Sequence, residues 1–205
     1  QRIFSFGNRL FNTNWVMAPA SVKAFDGLGP MFNRVSCSGC HTKDGRGQPP
    51  ADGHGPMESM LLRISIPGEG PHGGPNPVPG YGDQLSERSN HGVATEGVAR
   101  ITYTETAGHY GDGEAFSLRK PDYAIEQPGS GPLPGALLIS PRVAPQMIGL
   151  GLLEAVPDAT LEALADPVDA DGDGISGRTN RVWNAEIQAP AIGRWSWLAA
   201  GLPIE

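Results

Sequence analysis

The chain has only two cysteines among 205 residues, so neither a disulfide framework nor a four-cysteine zinc site is available to it. It also lacks any apolar run long enough to cross a bilayer, and it lacks a positive charge excess. The formal net charge is −7, which removes the electrostatic footing for nucleic-acid binding and favours a basic redox partner instead. The start at Gln1 shows neither the charged nor the apolar region of a secretory leader. What the chain has in excess are breakers: 29 glycines and 20 prolines. They divide it into short elements, so something other than long helices must organise much of the interior.

The two cysteines are not scattered. Cys37, Cys40 and His41 form C-S-G-C-H, the attachment signature of c-type haem. Two thiols at this spacing each add across one vinyl group of a porphyrin, and the adjacent histidine becomes the proximal iron ligand. The competing readings of the pair are a redox-active Cys-X-X-Cys site, a lone disulfide and half of a zinc site. A covalent haem would bury a large apolar plane and so serve as part of the core. Its attachment outside the cytoplasm predicts a mature chain in the periplasm or another exported location.

Along the chain, Phe4, Phe6, Leu10, Phe11 and Trp15 lie near helical spacing and predict a short N-terminal helix over 3–15. The run G-L-G-P-M-F-N-R-V-S leads into Cys37 and predicts the helical turn that presents the thiols. Residues 44–82 read as loop, broken by the apolar segment Met60 to Ile66. Alternation of Ile101, Tyr103, Phe116 and Leu118 around G-H-Y-G-D-G-E predicts a β-hairpin. Residues 143–156 are apolar and read as a buried helix or an irregular packed segment, and Pro157-Asp158 opens a helix that ends before Pro167.

Taken together, the stretches G-L-G-P-M-F-N-R-V-S-C-S-G-C-H-T-K-D-G-R-G-Q-P-P, Y-G-D-Q-L, S-L-R-K-P-D-Y, S-P-R-V-A-P-Q-M-I-G-L-G-L-L-E-A-V-P and D-A-D-G-D-G-I-S-G-R-T-N-R-V-W resemble the di-haem oxidoreductases. These are peroxidase-like proteins, also described as thiol-oxidoreductase-like and related to bacterial di-haem cytochrome c peroxidases. Members carry a second C-X-X-C-H in their C-terminal half, whereas this chain has one copy. The resemblance therefore implies the N-terminal haem half of such a protein, or a one-haem relative.

The fold expected on this reading is mainly α: a cytochrome c-like haem domain over 1–205, loop-rich, with a small β-hairpin insertion. It divides into a haem-attachment core (1–98), the hairpin insertion (99–127) and a packing segment with an Asp-rich loop (128–205). The expected cofactor is one covalent haem c. Di-haem cytochrome c peroxidases place a glutamine and then a glutamate over the open iron face after the haem motif. The resemblance assigns these roles to Gln84 and Glu96, the first to orient peroxide and the second to move its proton. Arg119 and Arg142 are candidate partners of the haem propionates. Candidate sixth ligands are His54, His72 and Met147, followed by His91, His109, Met57 and Met60.

Two functions follow from what fills the sixth position. If it is open, the chain is the peroxidatic half of a di-haem peroxidase-like oxidoreductase, reducing peroxide with electrons from a second haem or donor. If a tight ligand fills it, the chain is an electron-transfer cytochrome c subunit of a larger redox complex. A further site is read at 169–180. Asp169, Asp171 and Asp173, with Gly174 behind them and Asn180 at the twelfth position, match the opening of a Ca²⁺ loop. An Asp-rich turn capped by its own side chains is the alternative. Trp183, Trp195 and Trp197 beyond it read as packing residues or as an electron path.

Overall fold

The computed structural model describes residues 2–51, 53 and 57–195. In chain order the elements are α1 (Arg2–Asn12), β1 (Met31–Phe32), β2 (Met60–Glu69), β3 (Pro75–Asn76), β4 (Arg88–Ser89), β5 (Val98–His109), β6 (Ala115–Glu126), β7 (Leu138–Val143), α2 (Leu150–Glu154), α3 (Asp158–Ala163), β8 (Arg181–Asn184) and β9 (Ala189–Ile192). The mainly α expectation is overturned: the described residues are 33% strand against 18% helix. The cause is visible locally. Glycines and prolines leave few uninterrupted helical windows, while V-A-R-I-T-Y-T-E-T at the start of β5 is rich in the β-branched and aromatic residues that favour a pleated surface.

The largest departure is β2, which sits inside the stretch expected to be mostly loop. Its side chains alternate strictly: Met60, Leu62 and Ile64 are buried, whereas Leu61, Arg63 and Ser65 are half-buried. Period-two alternation of this kind puts successive residues on opposite faces of a sheet. Strand β7 pairs antiparallel along one edge of β2, from Met60 opposite Val143 to Ser65 opposite Leu138. At the other edge the Ile64 amide donates to the Asp83 carbonyl and the Leu85 amide to the Leu62 carbonyl, with Arg63 opposite Gln84. Strand β3 pairs antiparallel with the far end of β2, Asn76 opposite Ile66 and Pro75 opposite Glu69, with a register shift between the two pairs.

The inner face of this sheet forms the core. Met57, Met60, Leu62, Ile64, Val78, Tyr81, Leu85, Ala99 and Ile101 make one cluster, with Tyr103, Tyr123, Ile125, Ile139 and Val143 packed against it. Hairpin β5–β6 contributes its base, since Ala99 and Ile101 are buried, while its far end from Thr104 to Leu118 is largely exposed. It pairs from Val98 opposite Glu126 to His109 opposite Ala115, around a turn in which Gly113 has φ of 91°. That backbone region favours glycine.

The remaining elements are peripheral. Helix α1 ends three residues short of the expected span and buries no side chain fully. The segment expected to be buried at 143–156 is instead open over much of its length: Ile148 and Leu152 are more than 70% exposed, at 72% and 78%. Helix α3 follows Pro157 as expected. No helix among the described residues is long and apolar enough to cross a membrane.

Truncating Leu62 to Ala is expected to lower unfolding free energy by about 2–5 kcal/mol, because it is buried in the β2 core. Leu118→Ala, on the exposed part of the hairpin, should stay within about 0.5 kcal/mol. Urea denaturation of both variants checks the contrast.

Candidate functional site

The C-S-G-C-H segment begins in a tight 3-10 turn over Cys37–Gly39. Ser36 caps it, its hydroxyl accepting from the Gly39 amide at 3.2 Å. The Cys40 and His41 amides both donate to the Cys37 carbonyl at 3.1 Å. Both thiols are free; Cys37 is exposed and Cys40 half-buried. Burial pushes the Cys40 thiol above its ordinary value, and the Arg34 guanidinium beside it partly offsets the rise. Helix α1 packs on this turn through Phe11, whose ring lies 6.1 Å from that of His41 between centroids.

After His41 the chain reverses through Lys43 and Asp44, at φ of 55° and 58°. The reversal lays residues 44–47 along 144–147. The Met147 amide donates to the Asp44 carbonyl, and the Gly47 amide to the Ala144 carbonyl, both at 2.8 Å. Gly47 is required here, because a Cβ would stand 2.3 Å from the Ser59 carbonyl oxygen. Between these two links, His41 Nδ1 and the Pro145 carbonyl oxygen lie 2.7 Å apart. A carbonyl only accepts, so Nδ1 carries the proton and Nε2 keeps its lone pair for a metal.

His41 and Cys40 form part of the wall of a cavity of about 490 Å³, within the range of roughly 300–1,000 Å³ typical of cofactor pockets. The sheet supplies much of the rest of the lining, including its core residues Met60 and Ile64. Leu61, Arg63 and Ser65 of β2, Ser140 and Arg142 of β7, and Asp83 and Gln84 of the edge segment all line the cavity. Their shared face follows from pairing. Gln84, Arg63 and Ser140 are consecutive partners across the sheet, and Leu61 stands opposite Arg142.

Of the residues singled out in the sequence, the structure brings Cys40, His41, Gln84 and Arg142 together around this cavity, with Cys37 one turn away. Glu96 is not brought there. It is only 4% exposed, and its Oε2 accepts from the Ser86 amide at 2.6 Å, so its carboxylate holds the loop that follows Gln84. Arg119 is also remote: it lies on β6 with its guanidinium 3.9 Å above the Tyr103 ring and donates to the Ala51 carbonyl.

The candidate sixth ligands are dispersed. His72, at φ of 62°, stacks on Trp183 with ring centroids 3.9 Å apart. His91 and His109 are exposed, and Met147 is half-buried just beyond Pro145. Met57 and Met60 belong to the core, and Met60 also lines the cavity. His54 and Trp197 lie outside the described residues. Trp195 Nε1 is buried without a hydrogen-bond partner among the described residues.

In the Asp-rich loop, Asp166, Asp169 and Asp171 each place an oxygen within 4.8 Å of the others. Asp173 is not in this group, and the Asn180 carbonyl accepts from the Gly193 amide at 2.9 Å. The group's carboxylates already accept loop amides, Asp166 from Ala170, Asp169 from Gly174 and Asp171 from Asp173, which is the pattern of self-capped turns. Sequence reasoning missed Asp166, which precedes the alternating pattern. It also missed Arg63 and Asp83, whose place on the cavity depends on strand pairing rather than on any motif.

Fold and site together define a β-rich domain with a dithiol-histidine motif beside a cofactor-sized cavity. The family model described as "Di-haem oxidoreductase, putative peroxidase" matches residues 4–197, and the chain belongs to that family. Membership implies haem binding and, for the family, a second haem. No match is found among the curated proteins or among the solved structures.

Glu87, next to the Glu96-bound Ser86, accepts from the Ala99 amide at 2.7 Å. Burial nevertheless pushes its carboxyl above the ordinary 4.5. A raised carboxyl favours the folded state below the unfolded pKa and loses that contribution as pH rises through the folded one. Glu87→Gln is therefore expected to raise the melting temperature more at pH 7 than at pH 4. An equal change at both would remove the burial effect.

Proposed function

We propose that the chain is a c-type haem redox domain, the peroxidatic half of a di-haem peroxidase-like oxidoreductase in the periplasm or another exported compartment. The observation that carries this reading is His41: its Nδ1 is committed to the Pro145 carbonyl, and the ring borders the cavity that Gln84 and Arg142 also line. Haem fits this donor set. Cys37 and Cys40 supply free thiols, His41 supplies Nε2, and Leu61, Val143 and Ala144 supply apolar wall.

Bound here, haem would supply one-electron chemistry and an iron whose sixth position, when open, takes peroxide. The protein's contributions are distinct. Pro145 fixes the His41 tautomer and raises the basicity of Nε2. Arg142 offers a guanidinium for a carboxylate. Gln84 is a weak iron ligand but a good hydrogen-bond donor, so it suits orienting peroxide. Glu96 serves the site indirectly by fixing the backbone at Ser86. Electrons would come from the second haem that the family name implies, or from another donor.

The first test is the optical and EPR spectrum of the oxidised protein, repeated after partial reduction in the presence of the second haem. High-spin iron at His41 that reacts with peroxide supports the proposal. Low-spin iron inert to peroxide contradicts it and favours an electron-transfer subunit. Gln84→Ala should slow the peroxide reaction roughly 10²-fold, the scale for losing one well-placed donor. Glu96→Gln should leave the rate within a factor of a few, since its carboxylate does not reach the cavity; stopped-flow mixing with hydrogen peroxide separates the two.

A further inference from the structure

We propose that Arg63 is a second carboxylate anchor of the cavity, held by Asp83 until a haem propionate takes its place beside Arg142. This deepens the haem reading and rests on it.

Three observations carry it. First, the sheet puts the two guanidiniums on one face. Leu61 pairs with Arg142 and Arg63 pairs with Ser140, so the two arginines are diagonal neighbours on adjacent strands, a relation that long side chains readily span. Both line the cavity that His41 and Cys40 border. Second, their present partners differ. Arg142 Nε donates to the Ser140 hydroxyl at 3.1 Å, and no carboxylate pairs with it among the described residues. Arg63 forms an ion pair with Asp83.

Third, that ion pair is exchangeable. The Arg63 and Asp83 side chains retain 40% and 53% of their exposure, and exposed pairs contribute little because water screens them. Asp83 is tied down independently through its backbone, whose carbonyl accepts from the Ile64 amide at 3.0 Å. Releasing its carboxylate to water therefore leaves the strand edge intact. With Arg63, Arg142 and Asp83 ionised, the wall carries one net positive charge, and two propionates arriving there find two planar, always-charged donors. Asp83 opposes them as a like charge and as a competitor for Arg63.

The test uses the whole chain, purified without haem and with its thiols reduced, titrated with haem and with haem dimethyl ester, whose propionates are neutral. Arg63→Gln and Arg142→Gln should each weaken haem binding about tenfold, as expected for a lost charge-assisted hydrogen bond, and leave ester binding unchanged. Asp83→Asn should change affinity in the opposite sense, strengthening haem and not the ester. Arg63→Lys should keep most of the haem affinity, which separates lost charge from a misfolded strand, and circular dichroism checks the fold of each variant. Equal weakening of both ligands by Arg63→Gln, no weakening of either, or weaker haem binding in Asp83→Asn would overturn the anchor while leaving the haem reading in place. A wild-type chain that takes up neither ligand overturns the haem reading itself, and the anchor with it.

Discussion

The hydrogen bond between His41 Nδ1 and the Pro145 carbonyl is the constraint on which the site depends. It joins residues 104 positions apart in sequence, and such a distant contact survives only when the chain on both sides is already placed. The placement comes from the left-handed reversal at Lys43 and Asp44 and from the two backbone links between 44–47 and 144–147. Gly47 lets those segments approach Ser59. Each device is modest alone. Together they fix the imidazole in one tautomer and leave one nitrogen for a metal.

Strand β2 does a second job from the same geometry. Its even-numbered residues Met60, Leu62 and Ile64 are buried in the core, Met60 and Ile64 also bordering the cavity, and its odd-numbered residues Leu61, Arg63 and Ser65 line the cavity from the half-buried face. The polar side chains that β2 offers to the cavity thus lie on the face opposite its fully buried Leu62. A one-residue slip would exchange the two faces, putting a guanidinium into the core and a leucine onto the wall. Pairing with β7 and with Asp83–Leu85 holds the register from both edges. The wall is therefore as rigid as the core behind it, as a site that must hold a cofactor at a fixed angle requires.

Much of the site motif was legible in the sequence because its chemistry is local. Two thiols and a histidine must sit within one turn to share one cofactor, so Cys37, Cys40 and His41 stand together in the chain. Hairpin β5–β6 was legible for a similar reason: alternating apolar residues flank a glycine-rich turn. Strand β2 was not, because it is surrounded by glycine and proline and only its alternation marks it. The mainly α expectation followed the cytochrome-like resemblance rather than the residues of 57–126, whose β-branched and alternating pattern points to sheet.

The arginines show the same limit. Arg119 and Arg142 look alike in sequence, yet β6 carries the first onto Tyr103 and β7 carries the second onto the cavity. Arg63 had no motif at all. Its position is set by Ser140 and Gln84, partners far away along the chain. Glu96 was named for a role at the iron face and instead supports the Ser86 backbone. Spacing along the chain could not separate those two fates, because the turn at 86–96 decides which way the carboxylate faces.

The central claim is that the C-S-G-C-H turn holds haem covalently, and intact mass of the denatured chain tests it most directly after expression with export and haem-attachment machinery. The account predicts the chain mass plus one haem for the wild type and the bare chain mass when Cys37 and Cys40 are both replaced by Ala. A wild-type chain that matures in that host with both thiols unmodified would contradict it.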